Sequence, residues 1–464
     1  MSASTLTSGR IRTALSLPSG VAQDRTYTGV STDSRRVAPG DLFVAIRGER
    51  VDGADFLPQA AAAGAAGAII SANGEHPDLS LEYFAVADPV HALGDLASNV
   101  RSAASARVIA VTGSSGKTTV KEMLSSALGE ACRVYRTEGN LNSQVGLPLT
   151  ILRAPRAANF WILELGASEP GEIARLTAIA APDDVVVTTV GPAHLEAFGD
   201  EARVMDEKLD LVRGASTDGA VVVGELPVSL ARAAREIRPT AIVAGLGPEA
   251  DYRPDRFEVG PERVWFERSG VRAQVDVGGE HHLRDALMAA AVAEAVDIPL
   301  DSVARGLARY RPLGHRGAVR RIGDLTVLAD CYNANPESFG AAIAQCRDLY
   351  PGRRLAAFVG SMLELGDHEI PAHREVGAAL SEAGFSPIAA TGCFAPAFDD
   401  AALASGGVVA GEGPDDVWEE FAQALTGDEV VLVKASRGAR LERVLDWLED
   451  RFGARNGRTA GGGR

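Results

Sequence analysis

The stretch VIAVTGSSGKTTVKEML, from Val108 to Leu124, constrains the fold more than any other part of the chain. Its apolar start reads as a buried strand, and Val120, Met123, Leu124, Ala127 and Leu128 then follow at helical spacing. Between strand and helix stand Gly113, Ser114, Ser115, Gly116, Lys117, Thr118 and Thr119. A Gly/Ser turn that delivers a strand into a helix N-terminus aims backbone N–H groups and the helix dipole at one point, which suits a polyphosphate. Lys117 supplies a neutralising charge, and the Thr118 hydroxyl offers an oxygen to Mg²⁺. The full P-loop spacing is not met, because Val111 stands where its first glycine would fall. A chance glycine-rich turn is the competing reading, and the strand before and helix after it argue against chance.

The surrounding sequence repeats the same rhythm. RVIAVT, FWILEL, DVVVTTV, GAVVVG and TAIVAG alternate with helical patterns and predict parallel strands covered on both faces. Val271, Ala273, Val275 and Val277 alternate after Ser269-Gly270, which predicts an antiparallel hairpin within residues 257–277. A third unit begins near residue 316: TVLAD, RLAAFVG, PIAATG and EVVLVKA each precede a helical pattern, and the last helix carries Leu441, Val444, Leu445 and Leu448. The first hundred residues hold short strands at Asp41–Ile46, Ala68–Ser71 and Tyr83–Ala87 around an Ala/Gly-rich helix that Gly64 and Gly67 would end. Arg101–Arg107 reads as a linker. With 464 residues and about 150 per domain, three α/β domains are expected, at 1–104, 105–314 and 315–464. The Gly-rich tail from about residue 454 is too polar to fold.

Charge and cysteine usage exclude other classes. The net charge of −16, from 62 acidic and 46 basic residues, argues against a nucleic-acid backbone as partner. Four scattered cysteines form neither a metal-ligand spacing nor a disulfide framework and suit a reducing compartment. The most apolar stretches, Ala60–Ile70 and Ala286–Ile298, fall short of the ~20 residues a membrane span needs. The expectation is a soluble, cytoplasmic monomer.

The phosphate loop alone does not name a reaction. No Asn is followed by Lys, so the base reader of a GTPase switch is missing, and no apolar strand beside the loop ends in Asp-Glu. Glu164 ends FWILEL and His194 follows DVVVTTVG instead. In a parallel sheet the strand C-termini line the ligand crevice, so both could reach a metal or the γ-phosphate. Taken singly, each is as readily a helix-capping carboxylate or a satisfied loop histidine.

At this point the residues resemble those of the Mur ligase family over nearly the whole chain. STDSRRVAPGDLFVAIRGERVDGADF is similar to the family's uridine-binding segment. TGSSGKTTVKEM, TEGNLNSQVGLPLTIL, LELGASEPGEIARL and GPAHLEAFG are similar, in order, to its central ATPase domain, and DCYNANPESF and MLELGDHEIPAHREVG to its Rossmann-like third domain. YNANP resembles the member that adds D-Ala-D-Ala to a UDP-muramoyl tripeptide, whereas the Asp-Asn-Pro-Arg run of the diaminopimelate- or lysine-adding relative is absent. The resemblance implies a mechanism in which ATP phosphorylates the tripeptide carboxylate and the amine of D-Ala-D-Ala attacks the acyl phosphate. It implies two Mg²⁺ ions held by Thr118, Glu164, His194 and a carbamylated Lys208, although without the family Lys208 reads as a solvated helix lysine paired with Asp206, Glu207 or Asp210. It places Ser34 and Arg35 at the UDP end, Asn140 at the substrate, Arg316 and Asp330 at ATP, and Asn333 and Asn335 toward the substrates. HHLRDAL puts Asp285 where an adenine-reading Asn is expected, and a carboxylate accepts but does not donate. Ala54, Ser143-Gln144, Ser361 and Ala435 also depart from the pattern. Another amide ligase of this family, and a nucleotide-binding scaffold that has lost turnover, are the alternatives.

Overall fold

A computed structural model describes residues 6–19, 24–74, 76–192, 195–314, 316–398 and 407–453. The expected tail from about 454 lies outside the described residues. At the centre stands a six-stranded, all-parallel sheet in the order Ile242–Ala244, Val221–Gly224, Asp184–Val187, Arg107–Thr112, Phe160–Glu164, Val134–Arg136. Apart from the half-buried edge strand Val134–Arg136, the strands are nearly continuous apolar runs because helices cover both faces, so neither side of their pleat meets water. The three short strands Arg256–Val259, Val264–Arg268 and Val271–Val275 form an antiparallel sheet beside it. Ser269 (φ 50°) and Gly270 (φ 78°) make its turn, as the alternation predicts.

The third unit is a second six-stranded sheet, in the order Ala318–Ile322, Leu325–Asp330, Val430–Lys434, Leu355–Val359, Phe385–Thr391, Val408–Gly411. All pairs are parallel except the first. Ala318–Ile322 escapes a sequence reading because AVRRI is an edge strand with little burial and no clean alternation. The N-terminal unit holds the parallel strands Val30–Ser31, Leu42–Val44, Gly67–Ser71 and Glu82–Val86.

Two local expectations are corrected. Gly64 (φ 98°) does follow the helix Leu57–Ala62, but Gly67 opens a strand. Its role is close approach: a Cβ there would lie 2.7 Å from both Tyr27 Oη and the Glu82 carbonyl oxygen. Within Arg101–Arg107, Arg101 is not exposed linker charge. Arg101 ends the helix Pro89–Ser102 almost fully buried, and its guanidinium donates to the carbonyls of Ala180 and Ala181 and to Asp183, each at 2.9 Å. That helix packs on the central unit, and one continuous core runs from Leu6 through Leu96 to Val243. Among the described residues no helix is long and apolar enough to cross a membrane.

Candidate active site

The C-terminal edge of the central sheet faces the third unit across a cleft of about 980 Å³. Strand Arg107–Thr112 delivers the chain into this cleft at Gly113 (φ 148°) and Gly116 (φ 79°). Both glycines are required by their surroundings as well as by φ. A Cβ on Gly113 would lie 2.0 Å from Thr188 Oγ1, and one on Gly116 would lie 2.8 Å from Asp285 Oδ1. Gly116 is the N-cap of the helix Lys117–Gly129 and brings no capping side chain, so first-turn N–H groups are left for an anion. Lys117 folds back on its own loop, its Nζ donating to the carbonyls of Gly113 (2.6 Å) and Ser114 (3.3 Å). Burial pushes the Lys117 pKa down, with the Glu164 charge pulling it back up. A polyphosphate in the turn would act in the same direction as Glu164 and offset the burial.

Thr118 and Glu164 meet directly: the Thr118 hydroxyl lies 3.1 and 3.0 Å from the two carboxylate oxygens. Glu164 is buried, accepts from Asn142 Nδ2 at 2.9 Å and lies 3.2 Å from Lys121 Nζ. A hydroxyl and a carboxylate side by side at a helix start fit a hard divalent cation beside bound phosphates. Among the described residues no group of three or more His, Cys, Asp or Glu side chains is placed to hold a metal. His194 lies outside the described residues.

Lys208 is not a surface lysine. It points inward from the helix Glu201–Arg213, 2% exposed, with Nζ 5.8 Å from the centre of the Phe198 ring. Asp206 and Asp210 bind Arg213 instead, and Glu207 accepts the N–H groups of Gly171 and Ile173 at 2.7 Å. Burial, and after it the Lys117 charge, push the Lys208 pKa down to about 7. Lys208 is not in the wall of the cleft.

The third unit closes on the phosphate loop through the start of the helix Pro336–Leu349. Asn335 caps that helix, accepting from Ser338 N at 2.8 Å, and its Nδ2 donates to Ser115 Oγ at 3.2 Å. Asn335 therefore holds the loop as much as it faces a substrate. Glu337 accepts from Thr189 Oγ1 at 3.3 Å. Asn140 and Asn333 line the cleft, as do Thr119, Asp330 and Arg316. Asp330 is bound by the fully buried Lys434. The Arg316 guanidinium sits 3.8 Å from the centre of the Tyr332 ring, and that of Arg437 5.3 Å from the same ring.

With this geometry in view, comparisons with known proteins are decisive. Residues 26–101 match the model of the Mur ligase family catalytic domain, 111–293 that of the Mur ligase middle domain, and 315–437 that of the Mur ligase glutamate ligase domain. The UDP-N-acetylmuramoyl-tripeptide–D-alanyl-D-alanine ligase of Bacillus subtilis (strain 168) is 31% identical over 424 residues, covering 90% of this chain and 92% of its own length. The chain belongs to the Mur ligase family. Among solved structures, MurF from Acinetobacter baumannii superposes with a TM-score of 0.86 at 28% identity, over 96% of this chain and 99% of that one. The MurF ligase of Thermotoga maritima, solved in complex with ADP, gives 0.80 at 29% identity, over 91% and 97%.

Departures from the Mur ligase pattern acquire physical explanations. Ala435 sits outside the left-handed region, so no glycine is demanded there. Ser361 Oγ accepts from Cys393 N at 2.9 Å. Asp285 is buried against Gly116, and burial, with Glu337 nearby, pushes its carboxyl well above the usual carboxylate range. Protonated, it would both accept and donate, which restores the donor an ionised Asp lacks. It also spares the loop a negative charge beside a triphosphate. The folded chain keeps a proton at Asp285 that the unfolded chain releases, so stability falls as pH rises above the unfolded carboxyl range. Asp285→Asn should therefore raise the melting temperature at pH 7 by about 2–4 °C, the shift ~1 kcal/mol gives in a domain of this size. That gain should shrink toward pH 4. Equal melting temperatures of parent and variant across this range would refute the neutral assignment.

Ser34 and Arg35 do not reach the cleft. Ser34 Oγ donates to Gln59 at 2.8 Å, and the exposed Arg35 forks onto Asp33 at 2.9 and 2.8 Å. A sequence reading also misses Lys121, Asn142, Glu337, Tyr332, Gln345 and Lys434. Lys121 leaves one trace, a lysine amid Val120, Met123 and Leu124 on the buried side of its helix.

Proposed function

We propose that the chain is an ATP-dependent amide ligase that joins D-alanyl-D-alanine to the terminal carboxylate of a UDP-N-acetylmuramoyl tripeptide, a step of peptidoglycan precursor synthesis. The observation that carries this reading is the phosphate loop with Thr118 against Glu164, closed over by Asn335 from the third unit. Backbone N–H groups of Gly116–Thr119, at the helix start, and the Lys117 ammonium bind the triphosphate, and Lys117 then offsets the charge that develops on the transferring phosphoryl group. Thr118 and Glu164 would hold Mg²⁺, which adds positive charge at the phosphates. Asp285 and Arg316 contact the nucleotide, with Asp330 orienting Lys434 beside it. Asn140, Asn333 and Asn335 position the two substrates so that the amine meets the activated carboxyl in line. We assign a second metal to His194 and a carbamylated Lys208, and the UDP end to Ser34 and Arg35. The domains are proposed at 1–104, 105–314 and 315–464. A cytoplasmic monomer suits free cysteines and a cleft built from one chain.

Mass spectrometry of the product formed from UDP-muramoyl tripeptide, ATP and D-Ala-D-Ala tests the reaction. ADP release should require both the carboxylate and the amine. Nucleotide binding with no ADP release would point to a scaffold that has lost turnover, and a product with another amine to a different amide ligase.

The nucleotide must enter between two units that touch at Ser115–Asn335 and Thr189–Glu337. We expect a rigid-body opening hinged at residues 311–317, where Gly314 (φ 60°) and Gly317 (φ 65°) both lie in the left-handed region. Small-angle scattering should show a larger radius of gyration for the free chain than with an ATP analogue plus tripeptide substrate. Superimposable profiles would count against the hinge.

A further inference from the structure

The cleft extends well beyond the phosphate loop, and one side chain at its far end has no structural employment. Gln345, in the helix Pro336–Leu349, is 3% exposed and lines the cleft. Among the described residues neither its amide nitrogen nor its amide oxygen has a hydrogen-bond partner. Leaving both halves of a buried amide unmatched is costly, and such a group is retained where a ligand satisfies it. Space for the amide is kept open by Gly279 (φ 100°), at which a Cβ would lie 3.0 Å from Gln345 Oε1.

Two independent lengths place Gln345 where the base of a bound nucleoside triphosphate falls. Its helix starts on the phosphate loop at Asn335 and Glu337, and eight further residues carry the chain about 12 Å along the helix axis. On the opposite wall, the strand ending at Gly224 lies two strands from the phosphate-loop strand and the one ending at Ala244 three, so about 10–14 Å away across the sheet edge. Both spans match the reach of an extended nucleotide from its inner phosphates to its base. The lining there offers apolar surface to a planar ring, with Leu226, Ala244 and Val259 on one side and Ala341 and Ala342 on the other, beside the paired Arg284 and Glu225.

We propose that Gln345 is a specificity-determining residue that reads the adenine of ATP. Its amide oxygen accepts from the 6-amino group and its amide N–H₂ donates to ring nitrogen N1, which leaves the N7 side of the base to Asp285. This pairing is specific, because replacing the amino group by a carbonyl turns donor into acceptor and protonates the neighbouring nitrogen. The assignment rests on the ATP-dependent ligase reading above.

The test compares ATP, ITP and the 6-unsubstituted purine riboside triphosphate, by calorimetric binding to the full chain and by initial rates. The parent should bind ATP at least tenfold more tightly than either analogue. Gln345→Leu should weaken ATP by about tenfold and leave ITP within twofold. Gln345→Glu, which accepts but does not donate, should fall between, and serves if the Leu variant misfolds. Equal binding of the three nucleotides by the parent would overturn the proposal without need of any variant. So would a variant in which ATP and ITP weaken together. A parent that binds none of the three would instead overturn the ligase reading itself.

Discussion

Lys208→Arg is expected to lower turnover by roughly 10²–10³-fold, the loss typical when one preorganised charge is removed from an active site, while fold and UDP-substrate binding persist. A lysine ammonium has three donors and no lone pair, so it holds no cation. Magnesium wants oxygen ligands, and a carbamate on the lysine nitrogen supplies two with a negative charge. The structure removes the bland alternative, because Lys208 is buried and its neighbouring carboxylates are engaged with Arg213 and with the start of the helix Glu172–Ala180. Burial also holds a share of the amine in the neutral form that adds to CO₂. Turnover of the parent should fall on degassing and return with bicarbonate, whereas the variant should not respond. A Lys208→Arg enzyme that works near the parent rate would remove the carbamate from the site.

The second large effect is expected at Lys121. Its side chain is wholly buried beneath the phosphate loop, where Nζ donates to the Thr137 carbonyl at 2.9 Å and lies 3.2 Å from both Glu122 and Glu164. Thr137 in turn accepts from Glu164 N at 3.0 Å, so one ammonium ties the Glu164 carboxylate to the loop that carries Asn140 and Asn142. Lys121→Met keeps the length and removes the charge, so buried Glu164 loses its paired cation and keeps only the hydrogen bonds from Thr118 and Asn142. Breaking a buried pair on one side costs about 3–5 kcal/mol, so the urea midpoint should fall markedly. The Mg²⁺ concentration that half-saturates nucleotide binding should rise about tenfold, since Glu164 is no longer held toward Thr118. Because Arg136 also holds Glu122 at 2.6 Å, adding Glu122→Gln should recover little. A Lys121→Met chain with the parent's urea midpoint and Mg²⁺ dependence would show that Lys121 only fills space.

Much of this molecule is legible from the chain. The parallel sheets could be read because a strand buried on both faces must be apolar throughout, and DVVVTTV or EVVLVKA has no other economical use. The phosphate loop could be read because its glycines, lysine and threonine are contiguous, so local geometry alone brings them together. Edge elements were harder. AVRRI and the short strand at Val134–Arg136 carry little periodicity because water takes one side of them. Arg101 looked like linker charge because its partners, Ala180 and Asp183, are some eighty residues away.

The sequence by itself determined the fold class, the phosphate loop and, through motif order, the family. Those are properties of contiguous residues, whose spacing is set by helix and strand periods. Tertiary structure alone decided what the ionisable and amide groups do. Lys208 and Lys121 are ordinary helix lysines until packing strips them of water, and Asp285 is an ordinary acid until Gly116 and Glu337 close around it. Gln345 gains meaning only when its helix is laid along the cleft, with the phosphate loop at one end and an apolar slot at the other. Charge and hydrogen-bond capacity depend on surroundings supplied by distant parts of the chain, and no local pattern records them.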